Sequence, residues 1–296
     1  MSKFPQELID YVLDFLHNDK ASLAACSLVC ASFLPTSSFH LFADFTIRLR
    51  YPFSDDPEPV HCSEMASFFR LLSHSTRITT NVKDLTIECR DIVSPARPFD
   101  VQILRRTIQL LPKLESLFIH GLSLYHIDPE GDDITLSPCM PTLKRLEIEW
   151  SRLSYDSLSI LLSTFSHIEE LVFTRILSVE DLSTLPMYAE EPISVNTLSL
   201  SACARTQLSG LLPPMELMVK QMPRSVCFTN VLLDDMPAVD DHLSVFASSL
   251  EHLQLNLPDR WFSWDPPETS TGAFFHISSM TRVLLTSVPQ RDLQLI

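Results

Sequence analysis

The chain has 296 residues, a formal net charge of −15 and only four glycines. These glycines are too far apart for a dinucleotide fingerprint, a phosphate-binding loop or a nucleophile elbow. The negative charge disfavours nucleic acid as the main partner. No stretch approaches the roughly eighteen uninterrupted apolar residues of a membrane span, so no membrane partner is expected.

The cysteines and the N-terminal sequence indicate the cellular compartment of the protein. The seven cysteines are an odd number and are scattered along the chain. The N-terminus lacks the basic and apolar segments of a secretory signal. We therefore expect reduced thiols and a cytoplasmic and/or nuclear location.

The first predicted element is a helix over residues 5–16 with a large apolar surface. Pro5 suits the first helical position, and Glu7 complements the helix dipole in the first turn. Asp10 and Asp14 continue one narrow polar strip with Glu7. A helix that lies on one core needs an apolar stripe of roughly 100°, and this one has more. The pattern predicts two buried faces, one inside the protein and one left for a partner. The apolar residues are Leu8, Ile9, Tyr11, Val12, Leu13, Phe15 and Leu16.

Two further helices are predicted over about residues 20–30 and 32–42, after the break at Asn18-Asp19. Together with the first helix they form a compact three-helix unit. An ordinary core helix within a larger domain is the alternative, and the break after the first helix favours a separate unit with a docking surface. The inner face of the first helix is expected to pack against Leu23, Cys26, Leu28 and Cys30 of the second.

The order and spacing of these residues resemble the F-box, the adaptor-binding motif of SCF-type ubiquitin ligases. Phe33 stands where the family usually has an aromatic residue, Leu41-Phe42 matches the closing pair, and Phe4 replaces the usual leucine. The resemblance covers about the first fifty residues and is closest to fungal F-box proteins. It implies that adaptor binding uses Phe4, Pro5, Leu8, Ile9, Val12, Leu13, Leu16, Leu23, Leu28, Val29 and Phe33.

The rest of the chain repeats a short pattern: apolar, two variable residues, leucine, one variable residue, apolar. Each copy alternates as a strand with one buried face does. The central residues are 25 to 32 positions apart. A period in this range with one strand per unit is typical of a solenoid. The central residues are Leu85, Leu117, Leu146, Leu171, Leu198, Val226, Leu253 and Val283.

Helical patterns at 100–111, 155–165 and 240–247 lie between these strands, and 44–49 alternates like a first strand. The predicted fold class is α/β, a three-helix unit followed by an irregular solenoid with a parallel sheet inside and helices outside. A doubly wound α/β domain is the alternative, but it would have longer, wholly apolar strands. These strands keep charged residues such as Asp84.

This repeat region resembles the leucine-rich repeats of F-box proteins in a degenerate form. The family usually places Asn or Cys three residues after the last apolar residue of each strand, and here only Cys203 fits well. A continuous ladder of side chains is therefore not expected. The predicted domains are an F-box at 1–43, a linking strand and helix with an N-terminal cap of the repeats at 44–80, and a leucine-rich-repeat-like domain at 81–296.

Residues that could support catalysis or metal binding are incomplete in number and spacing. Cys26 and Cys30 are four apart, but no nearby His or second pair completes a metal site. We predict no enzyme activity, no metal and no other cofactor. Trp261, Phe262 and Trp264 are candidate target-binding residues, because aromatic side chains dominate interface hot spots. Packing under a loop explains them equally well.

The resemblance implies a substrate-receptor subunit of an SCF-type (cullin–RING) ubiquitin ligase. The F-box would bind an SKP-type adaptor on the cullin core, and the repeat domain would recruit an unidentified protein target for degradation. The alternative is a non-catalytic leucine-rich-repeat scaffold outside any ligase.

Overall fold

The computed structural model describes residues 5–49, 63–89, 98–125, 140–180, 193–201, 211, 219–221, 223–230, 239–240, 243, 246, 249–258 and 282–288. Within these ranges the chain is an α/β protein with helices and parallel sheets. The helices are α1 (Gln6–Asp14), α2 (Lys20–Ser27), α3 (Leu34–Phe42), α4 (Ser63–His74), α5 (Thr76–Asn81), α6 (Val101–Gln109) and α7 (Tyr155–Leu162).

The strands fall into long and short sets that alternate over the first half of the chain. In chain order they are β1 (Asp44–Leu49), β2 (Asp84–Cys89), β3 (Pro98–Asp100), β4 (Ser116–His120), β5 (Ser123–Tyr125), β6 (Met140–Glu149), β7 (Arg152–Ser154), β8 (Phe165–Thr174), β9 (Ser178–Glu180), β10 (Ile193–Ser201), β11 (Val219–Gln221), β12 (Ser225–Thr229), β13 (His252–Pro258) and β14 (Arg282–Val288).

The spatial order of the strands follows the chain. The larger sheet runs β1-β2-β4-β6-β8-β10-β12-β13-β14, with β11 paired to β10, and every described pairing is parallel. The short strands form a second parallel sheet in the order β3-β5-β7-β9. Among the described strands, each long strand of this sheet therefore lies beside the long strand that precedes it in the chain.

The register of the larger sheet aligns the centres of the sequence pattern in one row. Leu85 pairs with Leu117, and Phe45 of β1 extends the row in the other direction. The strand predicted at 44–49 is thus present as the first strand of the sheet. Because alternate side chains share one face, this row lies on the buried side. It continues through Leu146, Leu171, Leu198, Val226 and Leu253, which are all buried, and the backbone register then pairs Leu253 with Val283 of β14.

The helices predicted after Phe99 and Ser154 are present, and each begins at a side-chain cap. The Asp100 carboxylate accepts a hydrogen bond from the Gln102 N–H at 2.9 Å, which starts α6. Ser154 and Ser157 form a reciprocal capping pair that starts α7. Of the helix predicted at 240–247, the described residues are helical, and Leu243 and Phe246 are buried.

Four long strands end at a corner with a left-handed backbone conformation. The φ angles are 70° at Gly121, 50° at Trp150, 50° at Arg175 and 58° at Asn230. The N–H of each corner residue donates to a carbonyl of the next strand at 2.9–3.1 Å, so the ladder continues past the strand end. The acceptors are the carbonyls of Glu149, Thr174, Ser201 and Asn256 respectively.

The positions after these corners satisfy their backbone groups mainly through other backbone groups. Leu122, Ser151 and Ile176 are buried there, where the leucine-rich repeat family has Asn or Cys. Ser151 contributes its hydroxyl, which accepts from the Leu122 N–H at 3.3 Å. Otherwise the backbone pairs with itself, as in the 2.8 Å bond from the Arg152 N–H to the Leu122 carbonyl. Backbone bonds thus replace a side-chain ladder at these described positions.

Replacing Gly121 with alanine should destabilise the fold. A β-carbon at this position would overlap the backbone oxygen of Cys89, and the positive φ adds a further cost of about 1–2 kcal/mol for a residue with a side chain. Thermal and urea unfolding measure the loss. Asn230→Gly, at an equivalent corner, is the matched control and should leave the unfolding free energy nearly unchanged. An alanine variant as stable as the wild type would contradict this description of the corner.

Candidate protein-docking surface

The three N-terminal helices are joined directly to the first edge of the larger sheet. α3 ends at Phe42 and β1 begins at Asp44. The carbonyl of Ala43, between them, accepts hydrogen bonds from the N–H groups of Lys83 and Asp84, both at 2.9 Å. α5 packs on α3, and α4 packs on β1. The helices are therefore held in a defined position at the β1 end of the sheet.

Inside the three-helix unit, α3 packs against both α1 and α2, with Leu13 and Leu23 buried. The expectation that Leu28 and Cys30 would pack inward against α1 is wrong, since both are exposed. The reason is that α2 ends at Ser27, so these residues no longer follow the helical face on which Leu23 lies. The end of α2 thus presents Leu28 outward.

A row of polar residues, here called the polar seam, joins α1 to α3. Residues four positions apart on α1 face residues four positions apart on α3 and on the turn before it, so the two rows run in the same direction. Asp10 accepts from both Thr36 and the Gln6 amide, the latter at 2.8 Å. Two of the acidic residues predicted as a polar strip are therefore engaged within the protein. The pairs are Gln6 with the Ser32 carbonyl at 2.9 Å, Asp10 with the Thr36 hydroxyl, and Asp14 with His40 at 2.7 Å.

Another face of α1 is an exposed row of apolar side chains, here called the apolar stripe. Its residues are spaced by three and four positions, which places them on one side of the helix. The rings of Tyr11 and Phe15 meet edge to face, with centroids 4.9 Å apart. The stripe consists of Leu8, Tyr11, Val12 and Phe15, whose exposed fractions are 52%, 61%, 60% and 69%.

The exposed end of α2 adds to this apolar surface. Leu28 and Val29 have exposed fractions of 87% and 67%. The turn that follows them is held to the first turn of α1 by the 2.9 Å bond between Gln6 and Ser32. These six large apolar side chains, together with Phe39 of α3, are therefore exposed within the three-helix unit. An isolated exposed leucine is ordinary, but a contiguous group of exposed apolar side chains is typical of an interaction surface.

The described residues among those predicted to bind the adaptor differ in burial. Leu8, Val12, Leu28 and Val29 are exposed, while Ile9, Leu16 and Phe33 are half-buried. Leu13 and Leu23 are buried, so they act on docking only by supporting the helices. Pro5 is exposed and precedes α1 as its N-cap instead of occupying its first turn. Phe4, Trp261, Phe262 and Trp264 lie outside the described residues.

Two residues of the apolar stripe were absent from the predicted adaptor-binding set. Tyr11 and Phe15 do not belong to the matched F-box positions, although both were counted as apolar. Their spacing could have identified them, because positions three and seven residues after Leu8 lie on the same face of α1 as Leu8. This face is separate from the one that forms the polar seam.

The solvent-facing side of the larger sheet, here called its outer face, carries charged side chains that form ion pairs between neighbouring strands. Glu115 contacts Lys144 at 2.6 Å and Lys83 at 3.1 Å, and these two lysines lower the pKa of its carboxyl. Burial, with contributions from the neighbouring Asp44 and Glu115, raises the pKa of Asp84. Exposed pairs of this kind add little stability each. They mainly fix which charges this face presents.

Comparisons with known family models and curated proteins add nothing to this geometry. No family model matches the chain, and no curated protein matches it. The described residues contain no group of three or more His, Cys, Asp or Glu that could hold a metal ion. No described helix is long and apolar enough to cross a membrane. The expectation that the protein needs no cofactor stays a prediction.

Acidification should loosen the polar seam. Hydrogen bonds from Thr36 and then Gln6 lower the pKa of Asp10 below its ordinary value of 3.8. The ionised group stabilises the folded form above about pH 4, and this contribution is lost as the pH falls through the lowered pKa. We expect hydrogen exchange in α1 and α3 to accelerate between pH 5 and pH 3 relative to the intrinsic rate, as followed by mass spectrometry.

The matched variants for this prediction are Asp10→Asn and Glu7→Gln. The first removes the Asp10 carboxylate from the seam, in which Asp14 remains, and should reduce the pH dependence in α1 and α3. Glu7 lies in the same helix but has no contact across the seam among those described, so its replacement should keep the wild-type response. An Asp10→Asn protein that loosens with acid as the wild type does would exclude a role for this carboxylate.

Proposed function

We propose that the chain is a substrate-receptor subunit of an SCF-type (cullin–RING) ubiquitin ligase. In this proposal the three N-terminal helices are an F-box that binds an SKP-type adaptor, and the strand repeats hold a protein target. The protein itself carries out no chemistry and works in the cytoplasm and/or nucleus. The observation that carries the proposal is the exposed apolar stripe of α1, together with the exposed Leu28 and Val29 of the same three-helix unit.

The energetic argument rests on the amount of apolar surface left in water. Fully burying one large apolar side chain contributes about 1.5–3 kcal/mol. The stripe residues already have more than half of their surface exposed in this chain, so most of that contribution is still to be gained by a partner. The polar seam on another face keeps α1 from rotating to hide them. An adaptor groove that accepts an apolar helix face is the occupant that this arrangement favours.

The repeat region supports the second half of the proposal. We propose that it is a degenerate leucine-rich-repeat solenoid, because its strands follow chain order and align one apolar residue per repeat. Such an array builds an extended surface to which a target can bind. Holding a target near the ubiquitin-charged enzyme raises the local concentration of its lysines, which accelerates transfer without a catalytic residue in the receptor.

Charge in the apolar stripe should abolish adaptor binding. The double variant Leu8→Glu/Val12→Glu would place two carboxylates in a buried apolar interface, and we expect the adaptor affinity to fall at least about 100-fold. Co-expression with the SKP-type adaptor followed by titration calorimetry measures the change. Both side chains are exposed in the free protein, so the unfolding temperature should change little.

Leu71→Glu and Leu110→Glu are the matched controls, since both leucines are exposed but lie outside the three-helix unit. They should keep wild-type adaptor affinity. A wild-type chain that forms no complex with the adaptor would exclude the ligase assignment. It would favour the alternative, a leucine-rich-repeat scaffold that acts outside any ligase.

A further inference from the structure

Two corners of the larger sheet carry large side chains where the backbone favours small ones. Trp150 follows β6 and Arg175 follows β8, each with a φ of 50°. The equivalent corners after β4 and β12 have Gly121 and Asn230, which suit this conformation. A bulky residue in the left-handed region is a genuine outlier, and such outliers concentrate at functional sites.

The two side chains are stacked on each other at the surface. The guanidinium carbon of Arg175 lies 5.3 Å from the centre of the Trp150 ring, within the range of a cation–π contact. Trp150 is half-buried and Arg175 is exposed. The stack leaves the edge of the guanidinium free to donate hydrogen bonds in its own plane.

Backbone bonds fix both corners in place. The Trp150 N–H donates to the Thr174 carbonyl at 3.1 Å, and the Arg175 N–H donates to the Ser201 carbonyl at 2.9 Å. Leu177, two residues beyond Arg175, is exposed, while Ile176 between them is buried. Trp150, Arg175 and Leu177 are here called the corner patch. Its rigid backbone reduces the ordering cost of binding.

The charge of Arg175 stands out from the rest of the sheet. The other described lysine and arginine side chains in or directly before the strands of the larger sheet contact carboxylates: Arg48, Lys83, Lys144, Arg145 and Arg224. Among the described residues Arg175 has no carboxylate partner, in a chain whose net charge is −15. Its contact is an aromatic ring instead.

We propose that the corner patch binds a partner-protein segment in which one acidic residue is flanked by apolar residues. An Asp or Glu of that segment pairs with the guanidinium of Arg175, and a neighbouring apolar side chain packs on Trp150 and Leu177. Aromatic and arginine residues are the commonest hot spots of protein interfaces. This inference deepens the proposed function. That the segment belongs to a ligase target rests on the proposed function.

The surrounding charges decide the class of partner. Glu147 and Glu170 flank Arg145, and Glu149 contacts His120 at 3.2 Å, all on the strands that lead to the two corners. A nucleic acid would bring many phosphates against these carboxylates, which repel them. A short protein segment can place one carboxylate at Arg175 and keep the rest of its surface neutral. The patch therefore favours a carboxylate flanked by apolar residues.

A peptide library displayed on phage and selected on the full-length chain tests this proposal. We expect the wild type to enrich peptides with an Asp or Glu next to an apolar residue. Arg175→Glu should lose this enrichment. It should also weaken binding of a wild-type-selected synthetic peptide by about tenfold or more, as measured by fluorescence anisotropy. Trp150→Gly relieves the positive φ while it removes the ring, and it should weaken the same peptide.

Arg224→Glu is the matched control, because Arg224 is also exposed and contacts Glu251 at 3.6 Å on the same sheet. It should keep the wild-type selection. The proposal is overturned if the wild type enriches no acidic motif, or if Arg175→Glu enriches the same peptides as the wild type. Adaptor affinity, measured on the same proteins, should be unchanged in Arg175→Glu. A chain that selects acidic peptides but does not bind the adaptor would refute the ligase assignment and retain the corner patch.

Discussion

In-register stacking of one apolar residue per strand is the constraint on which the rest of this structure depends. Phe45, Leu85 and Leu117 begin a row that continues to Val283 across the larger sheet. Because side chains alternate along a strand, fixing this row also fixes which residues face outward. The left-handed corners then follow β4, β6, β8 and β12, and the short strands form a second sheet in the same chain order. The charged outer face and the corner patch are consequences of that register.

In the three-helix unit, polar contacts between the helices determine which apolar residues stay exposed. The polar seam holds α1 against α3 through Asp10, Asp14 and their partners. With that face occupied by hydrogen bonds, and Leu13 buried in the interior, the four residues of the apolar stripe face solvent. A helix with too many apolar residues for one core thus has an exposed apolar face.

The two surfaces lie on different parts of the chain and differ in chemistry. The apolar stripe is made of side chains that gain from burial, as expected for a stable complex with a fixed subunit. The corner patch is a single stacked guanidinium on a ring in a charged setting, which suits recognition of one carboxylate in a changing partner. Ala43 and the pairing of β1 with β2 connect the two regions covalently and by hydrogen bonds. This division fits a protein that connects one constant partner to another that varies.

Sequence periodicity by itself determined the long strands of the larger sheet, their order and the surplus of apolar residues on the first helix, but it did not predict the second sheet of short strands. These follow from spacing along the chain, which local geometry converts directly into faces. Only the tertiary structure decided which apolar residues stay exposed. The end of α2 at Ser27 turned Leu28 outward, and the pairing of Asp10 with Thr36 selected Tyr11 and Phe15 for the surface. The stack of Arg175 on Trp150 joins residues 25 positions apart, so it exists only once the register of β6 and β8 brings the two corners together.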